Sequence, residues 1–119
     1  MRATLYGIPN CDQVKKARAW LDAGRHDVAF HDFKKSGIDR ATIENWLHEI
    51  SCETLLNRRG TTWRALTDKR KASVIDANSA IELMLEMPSI IKRPVLVLPS
   101  QIVVGFSDAN YQSAFQKLL

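Results

Sequence analysis

The spacing of apolar residues predicts a strand, a helix and a second strand at the start of the chain. Residues 3–8 are rich in strand-forming residues and end in turn formers, which predicts the first strand. Residues 12–23 have apolar positions at helical spacing, with Gly24 as the stop, and residues 27–33 alternate like a second strand. The apolar stripe of the helix consists of Val14, Ala17 and Leu21. This order favours a parallel strand pair joined by a right-handed crossover.

The middle of the chain changes to a helical period. Asp39 is a predicted N-cap, and the apolar residues after it recur at i, i+3, i+4 and i+7. These residues are Ile43, Trp46, Leu47 and Ile50. We therefore expect Trp46 and Leu47 to lie in the core.

Shorter helices are predicted after that one. They cover residues 52–56 and 68–75, with a loop over residues 57–63 between them. Another helix is predicted to begin after Asn78 and to end at Pro88. Its inward-facing residues are Ile81, Met84 and Leu85.

The last third returns to strands. Residues 95–98 and 102–104 are two short apolar runs separated by turn residues, which predicts a hairpin. Ser107 is a predicted cap of a final helix. The apolar face of this helix consists of Tyr111, Ala114, Phe115 and Leu118.

These elements together predict an α/β domain with a thioredoxin-like fold. The order β-α-β, then β-β-α, builds one mixed four-stranded sheet with helices on its faces. The helical stretch at about residues 39–90 is then an insertion between the two halves. We interpret residues 1–119 as a single domain.

Composition changes this picture little. Apolar residues make up 45% and charged residues 25%, the balance of an ordinary globular protein. The apolar runs are too short to span a bilayer, and no signal-peptide pattern is visible, so we expect a cytoplasmic protein and no membrane partner. The net charge of +4 comes largely from basic residues between positions 58 and 71. We interpret that run as a solvated face rather than a nucleic-acid site.

Cys11 is the candidate nucleophile. It falls at the junction of the first strand and the first helix, where unpaired backbone N–H groups and the helix dipole favour a thiolate. The alternative is a buried cysteine that acts as a small hydrophobe. Position 14 is Val14, so a Cys-x-x-Cys dithiol motif is excluded. The resolving thiol must then come from Cys52, a partner protein or a small thiol such as glutathione; we expect Cys52 to pack in the core.

Two arginine blocks are candidates for anion binding. Arg58 and Arg59 lie in the predicted loop, and Arg93 precedes Pro94 at the entry to an apolar strand. Guanidinium groups bind carboxylates and oxyanions through a bidentate fork, although single arginines are more often surface residues. The three histidines have no metal-ligand spacing with the cysteines, so we expect no metal site.

Three sequence blocks resemble the arsenate reductase (ArsC)/Spx family. They are YGIPNCD at residues 6–12, LNRRGTTWR at residues 56–64 and MPSIIKRP at residues 87–94. GFSD at residues 105–108 is similar to the YffB-like branch. The blocks follow one another in order over essentially the whole chain.

The resemblance implies a thioredoxin fold with a helical insertion and assigns roles to the candidate residues. It implies that Cys11 is the nucleophile, that Arg59 and Arg93 are catalytic, and that Pro94 is a cis proline beside the site. Three further residues are expected at the substrate: Asn10, Arg58 and Pro94. The family places a third arginine in a Gly-Arg-Pro block, where this chain has Phe106.

The missing arginine favours one activity among those that the resemblance implies. The main hypothesis is a glutathione-dependent thiol reductase that acts on disulfides or mixed disulfides. Glutathione would be a co-substrate, with no tightly bound cofactor, and glutaredoxin or a disulfide-bearing protein would be a further partner. The alternatives are an arsenate reductase and a non-enzymatic, Spx-like regulator that binds RNA polymerase.

Overall fold

The computed structural model describes residues 3–117, which contain a four-stranded sheet and a series of mostly short helices. The strands are β1 (Ala3–Gly7), β2 (Val28–Asp32), β3 (Val95–Val97) and β4 (Ile102–Val104). The helices are α1 (Asp12–Ala23), α2 (Phe33–Ser36), α3 (Arg40–Leu47), α4 (Cys52–Leu55), α5 (Thr61–Arg64), α6 (Asp68–Ala72), α7 (Ala77–Glu86) and α8 (Asp108–Gln116), with a 3₁₀ turn at Pro88–Ile90. None of the helices within residues 3–117 is long and apolar enough to cross a membrane.

The chain forms two compact units. The first contains the residues up to Ser36 and those from Arg93 onward, and the second is the continuous segment Gly37–Lys92. The interpretation of the whole chain as a single domain stays a prediction.

The first unit contains the sheet, in the strand order β2-β1-β3-β4. β1 runs parallel to β2 and antiparallel to β3, with Leu5 opposite both Phe30 and Leu96. β3 and β4 form the predicted antiparallel hairpin. The predicted mixed four-stranded sheet is therefore confirmed.

Side chains from the sheet, α1 and α8 form one core cluster. Its members are Ala3, Leu5, Ala17, Leu21, Leu96, Leu98, Tyr111 and Ala114. Phe115 packs against this cluster while only half-buried, and the predicted position of Leu118 lies outside the described residues. The predicted inward faces of α1 and α8 are otherwise confirmed.

The second unit is helical, and side-chain caps fix where its helices begin. The Asp39 carboxylate accepts a hydrogen bond from the Thr42 N–H at 2.8 Å, which confirms the predicted N-cap of α3. Trp46 is only 2% exposed, as predicted. Leu47 is half-buried rather than in the core, because α3 ends there and the helical stripe stops before Ile50.

Several predicted boundaries in this unit are wrong. α7 begins at Ala77 rather than after Asn78, because Asp76 caps it and accepts the Ser79 N–H at 2.8 Å. Ile81 and Met84 are buried as predicted, but Leu83 is buried as well, and Leu85 is only half-buried.

Single helical turns were also missed. α5 occupies part of the predicted loop, and α2 begins at the residue where the second strand was expected to end. α6 is shorter than predicted, so Ile75 lies beyond it and is 81% exposed.

Candidate functional site

Cys11 occupies the N-cap position of α1. Its backbone is extended, with φ −128° and ψ 128°, and its carbonyl accepts the Lys15 N–H at 2.9 Å. The side chain makes no capping hydrogen bond and is half-buried, and the thiol is free. The nucleophile candidate therefore lies beside the unpaired N–H groups of the first helical turn and is open to reaction.

A close contact between β1 and α1 positions this helix start. A Cβ placed on Gly7 would lie 2.8 Å from Cγ2 of Val14, which is fully buried. Glycine at the end of β1 thus permits the first turn of α1 to approach the strand. Val14 occupies the position that the second cysteine of a Cys-x-x-Cys motif would take, and its side chain faces into the protein.

The strand register brings Arg93 and Pro94 to the same end of the sheet. Tyr6 lies opposite Val95, so the residues that precede β3 lie where β1 ends and the loop to Cys11 begins. The Arg93–Pro94 peptide bond is cis, as the family resemblance implied. Arg93 is half-buried, and the exposed Asn10 belongs to the loop itself. Four of the six predicted site residues therefore belong to one end of the first unit.

The residues that follow β4 lie at this same end of the sheet, because Val104 pairs with Val95. The Gly105 N–H donates to the Pro94 carbonyl at 2.8 Å, and Gly105 has a φ of 81°, which favours glycine. The next residue, Phe106, lies edge-on against Tyr111 with 4.8 Å between ring centroids. At the position of the third family arginine, this chain has an aromatic ring packed on the core of the first unit.

Arg58 and Arg59 belong to the second unit and have different surroundings. The Arg58 guanidinium lies 2.9 Å from the Glu53 carboxylate and over the Trp63 ring, 4.6 Å from its centroid. Arg59 is exposed, and its backbone N–H donates to Asn57 Oδ1 at 3.2 Å. Among residues 3–117, no acidic side chain forms an ion pair with Arg59. Arg58 is held by its neighbours, whereas Arg59 remains available to a ligand.

A strand-like pairing, absent from the sequence prediction, places a lysine beside these arginines. The Lys92 N–H donates to the Leu55 carbonyl at 2.7 Å, and the Asn57 N–H donates to the Ile90 carbonyl at 2.8 Å. Leu56 and Ile91 form an isolated antiparallel bridge between these bonds. The pairing brings Lys92 to a cleft of about 260 Å³ that Asn57, Arg58 and Arg59 also line.

Cys52 is the first residue of α4 and is half-buried rather than packed in the core. Burial raises the pKa of its thiol, and the negative charges of Glu53 and Asp76 raise it further. A higher pKa leaves less thiolate at neutral pH, so Cys52 is poorly suited to act as a nucleophile. Within residues 3–117, no group of three His, Cys, Asp or Glu side chains is placed to hold a metal ion.

Comparison with known proteins identifies the family. The model of the ArsC family matches residues 6–114. The chain belongs to the ArsC family. The family resemblance inferred from the three sequence blocks is thereby confirmed.

Two solved ArsC-family structures are similar over nearly the whole chain. A protein named YffB is 49% identical, covers 94% of this chain and 97% of its own, and superposes with a TM-score of 0.89. An arsenate reductase (ArsC) related protein from Brucella melitensis is 48% identical, with coverage of 97% and 95% and a TM-score of 0.76. These neighbours have the thioredoxin-like fold, so the predicted fold class is confirmed.

A regulatory protein is also among the relatives. The global transcriptional regulator Spx of Streptococcus mutans is 31% identical over 110 residues, which cover 88% of this chain and 77% of Spx. The ArsC family thus relates this chain both to arsenate reductase-like proteins and to a regulator.

Proposed function

We propose that this chain is a glutathione-dependent thiol reductase with Cys11 as its nucleophile. The observation that carries the proposal is the free, half-buried Cys11 thiol at the N-cap of α1, without a capping hydrogen bond. The backbone N–H groups of the first turn have no partners within the helix, so they solvate the negative charge of a thiolate. Arg93 and Pro94 precede β3 at the end of the sheet where the loop to Cys11 begins, which supports their assignment to the same site.

The reaction proceeds by two thiol–disulfide exchanges. The Cys11 thiolate attacks the glutathione sulfur of a mixed disulfide, forms a Cys11–glutathione disulfide and releases the substrate as a thiolate, which takes up a proton. A second glutathione, as its thiolate, then attacks the glutathione sulfur of that disulfide. The products are oxidised glutathione and the Cys11 thiolate, so two electrons pass from glutathione to the substrate.

Phe106 favours a thiol substrate over arsenate. An oxyanion is stabilised by several cationic donors, and this chain has an apolar ring in place of one of them. In the proposed reductase, Arg59 and Arg93 bind carboxylates of glutathione. Asn10 and Pro94 contact the same substrate.

The first test is the site of glutathionylation. Wild type, Cys11→Ser and the matched control Cys52→Ser are incubated with oxidised glutathione, and intact mass and peptide mapping locate the adduct. We expect one adduct on Cys11 in wild type and Cys52→Ser, reversed by reduced glutathione, and none in Cys11→Ser. An adduct confined to Cys52, or full thiol-transfer activity in Cys11→Ser, would overturn the proposal.

Arsenate reduction is the nearest enzymatic alternative, because the Brucella melitensis relative is named as arsenate reductase-related. The test is arsenate-dependent turnover coupled to glutathione and glutaredoxin. Turnover that Cys11→Ser abolishes would favour this alternative, and no turnover with any of several thiol donors would exclude it.

A regulatory role is the second candidate, favoured by the identity to Spx. A regulator of this kind would bind RNA polymerase and would need no catalytic turnover. Recovery of the polymerase α subunit with the wild-type protein, in a pull-down that Cys11→Ser leaves unchanged, would favour it. A pull-down that recovers no polymerase would count against it.

A further inference from the structure

The cleft in the second unit has an excess of positive charge. Its lining includes the cationic side chains of Arg58, Arg59 and Lys92 and the single carboxylate of Glu53. Glu53 is already paired with Arg58 at 2.9 Å. The positive charges of Arg59 and Lys92 are therefore uncompensated on the wall of one concave surface.

Arg58 has a supporting role in this cleft. Its guanidinium is fixed between Glu53 and the face of Trp63, which is buried. Because its charge is paired with a carboxylate and its planar face is stacked on an aromatic ring, Arg58 forms part of the cleft wall and has little capacity left to bind a ligand. Any anion that enters the cleft therefore meets Arg59 and Lys92.

Backbone hydrogen bonds join the two sides of the cleft. The hydrogen bonds from Lys92 to Leu55 and from Asn57 to Ile90 join its two walls, and the buried Leu56 and Ile91 lie between them. Arg59 is fixed to the same frame through its N–H bond to Asn57 Oδ1. The cations extend from a preformed frame, which lowers the entropy cost of binding a ligand.

Asn57 adds a neutral donor to the cleft. Its Oδ1 accepts the Arg59 N–H, which leaves the Nδ2 donors for a ligand. A Cβ at Gly60 would lie 2.7 Å from this Nδ2, so the glycine provides the space that the amide occupies. Two cations and an amide N–H together match the acceptor oxygens of a carboxylate.

We infer that Asn57, Arg59 and Lys92 form a binding site for the glycine carboxylate of glutathione. The inference rests on the proposed function and adds a residue, Lys92, and a particular end of the substrate. Glutathione has one carboxylate beside its ammonium group and another, at the glycine end, with no neighbouring cation. A cleft with two uncompensated positive charges repels the ammonium and selects the glycine end. Its volume of about 260 Å³ is below that of a typical small-molecule pocket, so it holds one arm of the tripeptide.

The test measures binding without chemistry. S-methylglutathione cannot form a disulfide, so its dissociation constant for the full chain reports binding alone. We expect Lys92→Gln and Arg59→Gln each to weaken binding about 5- to 10-fold, the range for one typical hydrogen bond, because both side chains are exposed to solvent. The matched control is Lys69→Gln, an exposed lysine on α6 outside the cleft, and it is expected to bind like wild type.

A modified ligand identifies the carboxylate. S-methylglutathione with its glycine carboxylate converted to an amide is expected to bind wild type at least about 10-fold more weakly than the parent ligand. The loss is expected to be smaller in Lys92→Gln, where Arg59 is the one remaining cation of the pair. The inference is overturned if Lys92→Gln binds S-methylglutathione like wild type, or if the amide weakens binding equally in both proteins. Inorganic phosphate that competes as tightly as the peptide would overturn the assignment to a carboxylate.

The two proposals fail separately. Glutathionylation of Cys11 tests the reductase proposal. If Cys11 is not glutathionylated but Lys92→Gln still weakens S-methylglutathione binding, the reductase is rejected and the carboxylate site is retained. Normal glutathionylation of Cys11 together with unchanged binding in Lys92→Gln would reject the cleft and retain the reductase.

Discussion

Val14 packs directly against Gly7, and a Cβ added to the glycine would lie 2.8 Å from Cγ2 of Val14. This contact joins the end of β1 to the first turn of α1, where Cys11 is the N-cap. It fixes the place at which the helix begins. The position of Cys11, the proposed nucleophile, therefore depends on the packing of Gly7 against Val14.

Gly7→Ala is expected to destabilise the protein by about 1–3 kcal/mol, because Val14 must move from a fully packed position. In a Val14→Ala background the same change is expected to stabilise by about 0.4–1 kcal/mol, since alanine restricts the unfolded chain more than glycine does. Urea denaturation of the four proteins gives both values. An equal effect of Gly7→Ala in the two backgrounds would contradict the contact.

Trp46→Ala is expected to cost about 3–5 kcal/mol, because the side chain is 2% exposed and its loss leaves a cavity. Leu47→Ala is the matched control on the same helix and is expected to cost less, since Leu47 is half-buried. Denaturation midpoints and m-values of both variants measure the difference. A Trp46→Ala midpoint equal to that of wild type would refute the placement of Trp46.

Tyr111→Phe is expected to stabilise the protein by about 1 kcal/mol at neutral pH. The Tyr111 hydroxyl is buried and has no hydrogen-bond partner within residues 3–117, so its removal relieves a desolvation cost. The ring contact with Phe106 is retained. Thermal unfolding of the two proteins tests this, and a destabilisation of similar size would show that the hydroxyl is satisfied.

The same variant has a defined dependence on pH. Burial raises the pKa of Tyr111 above that of an ordinary tyrosine. The folded state therefore keeps its full stability below about pH 10, where the unfolded tyrosine begins to ionise, and loses it as the pH rises further. We expect the stability advantage of Tyr111→Phe to grow above about pH 10. Urea titrations at several pH values from 7 upward measure the change.

Cys52 is expected to react with iodoacetamide more slowly at neutral pH than an unperturbed cysteine does. Burial and the charges of Glu53 and Asp76 raise the pKa of its thiol, which lowers the thiolate fraction at neutral pH. The rate of alkylation in Cys11→Ser, followed by mass against pH, should have its midpoint above that of an unperturbed cysteine. Glu53→Gln and Asp76→Asn should each lower this midpoint. A midpoint that neither substitution moves would remove the electrostatic cause.

Periodic elements were predictable from sequence, and so was the single turn of α4 (Cys52–Leu55), whereas the single turns of α2 and α5 were not. α1 lies at the predicted residues because its buried positions, Val14, Ala17 and Leu21, repeat over three turns. α5 has only four residues, too few for a repeat, and was predicted as loop. Ser107 caps α8 as expected, because a cap depends on a local hydrogen bond, here from the Asn110 N–H at 3.1 Å.

The parts of the candidate site that depend on neighbouring residues in the sequence were predictable. Cys11 at a strand–helix junction follows from the pattern on either side of it. Lys92 and Asn57 were missed, because they come together through a backbone pairing between residues distant in sequence. The one available signal was the position of Lys92 beside Arg93 in a single basic block.

The two halves of the sheet are made at different times during synthesis. Thr4 pairs with Val97, so the whole segment Gly37–Lys92 leaves the ribosome before β3 can reach β1. At ordinary translation rates the interval between β2 and β3 is roughly 3–13 s. Until then β1 has an unpaired edge, and open strand edges are where nascent chains associate with one another. The segment Gly37–Lys92 is synthesised before β3, so the sheet is completed only when the chain returns to pair with β1.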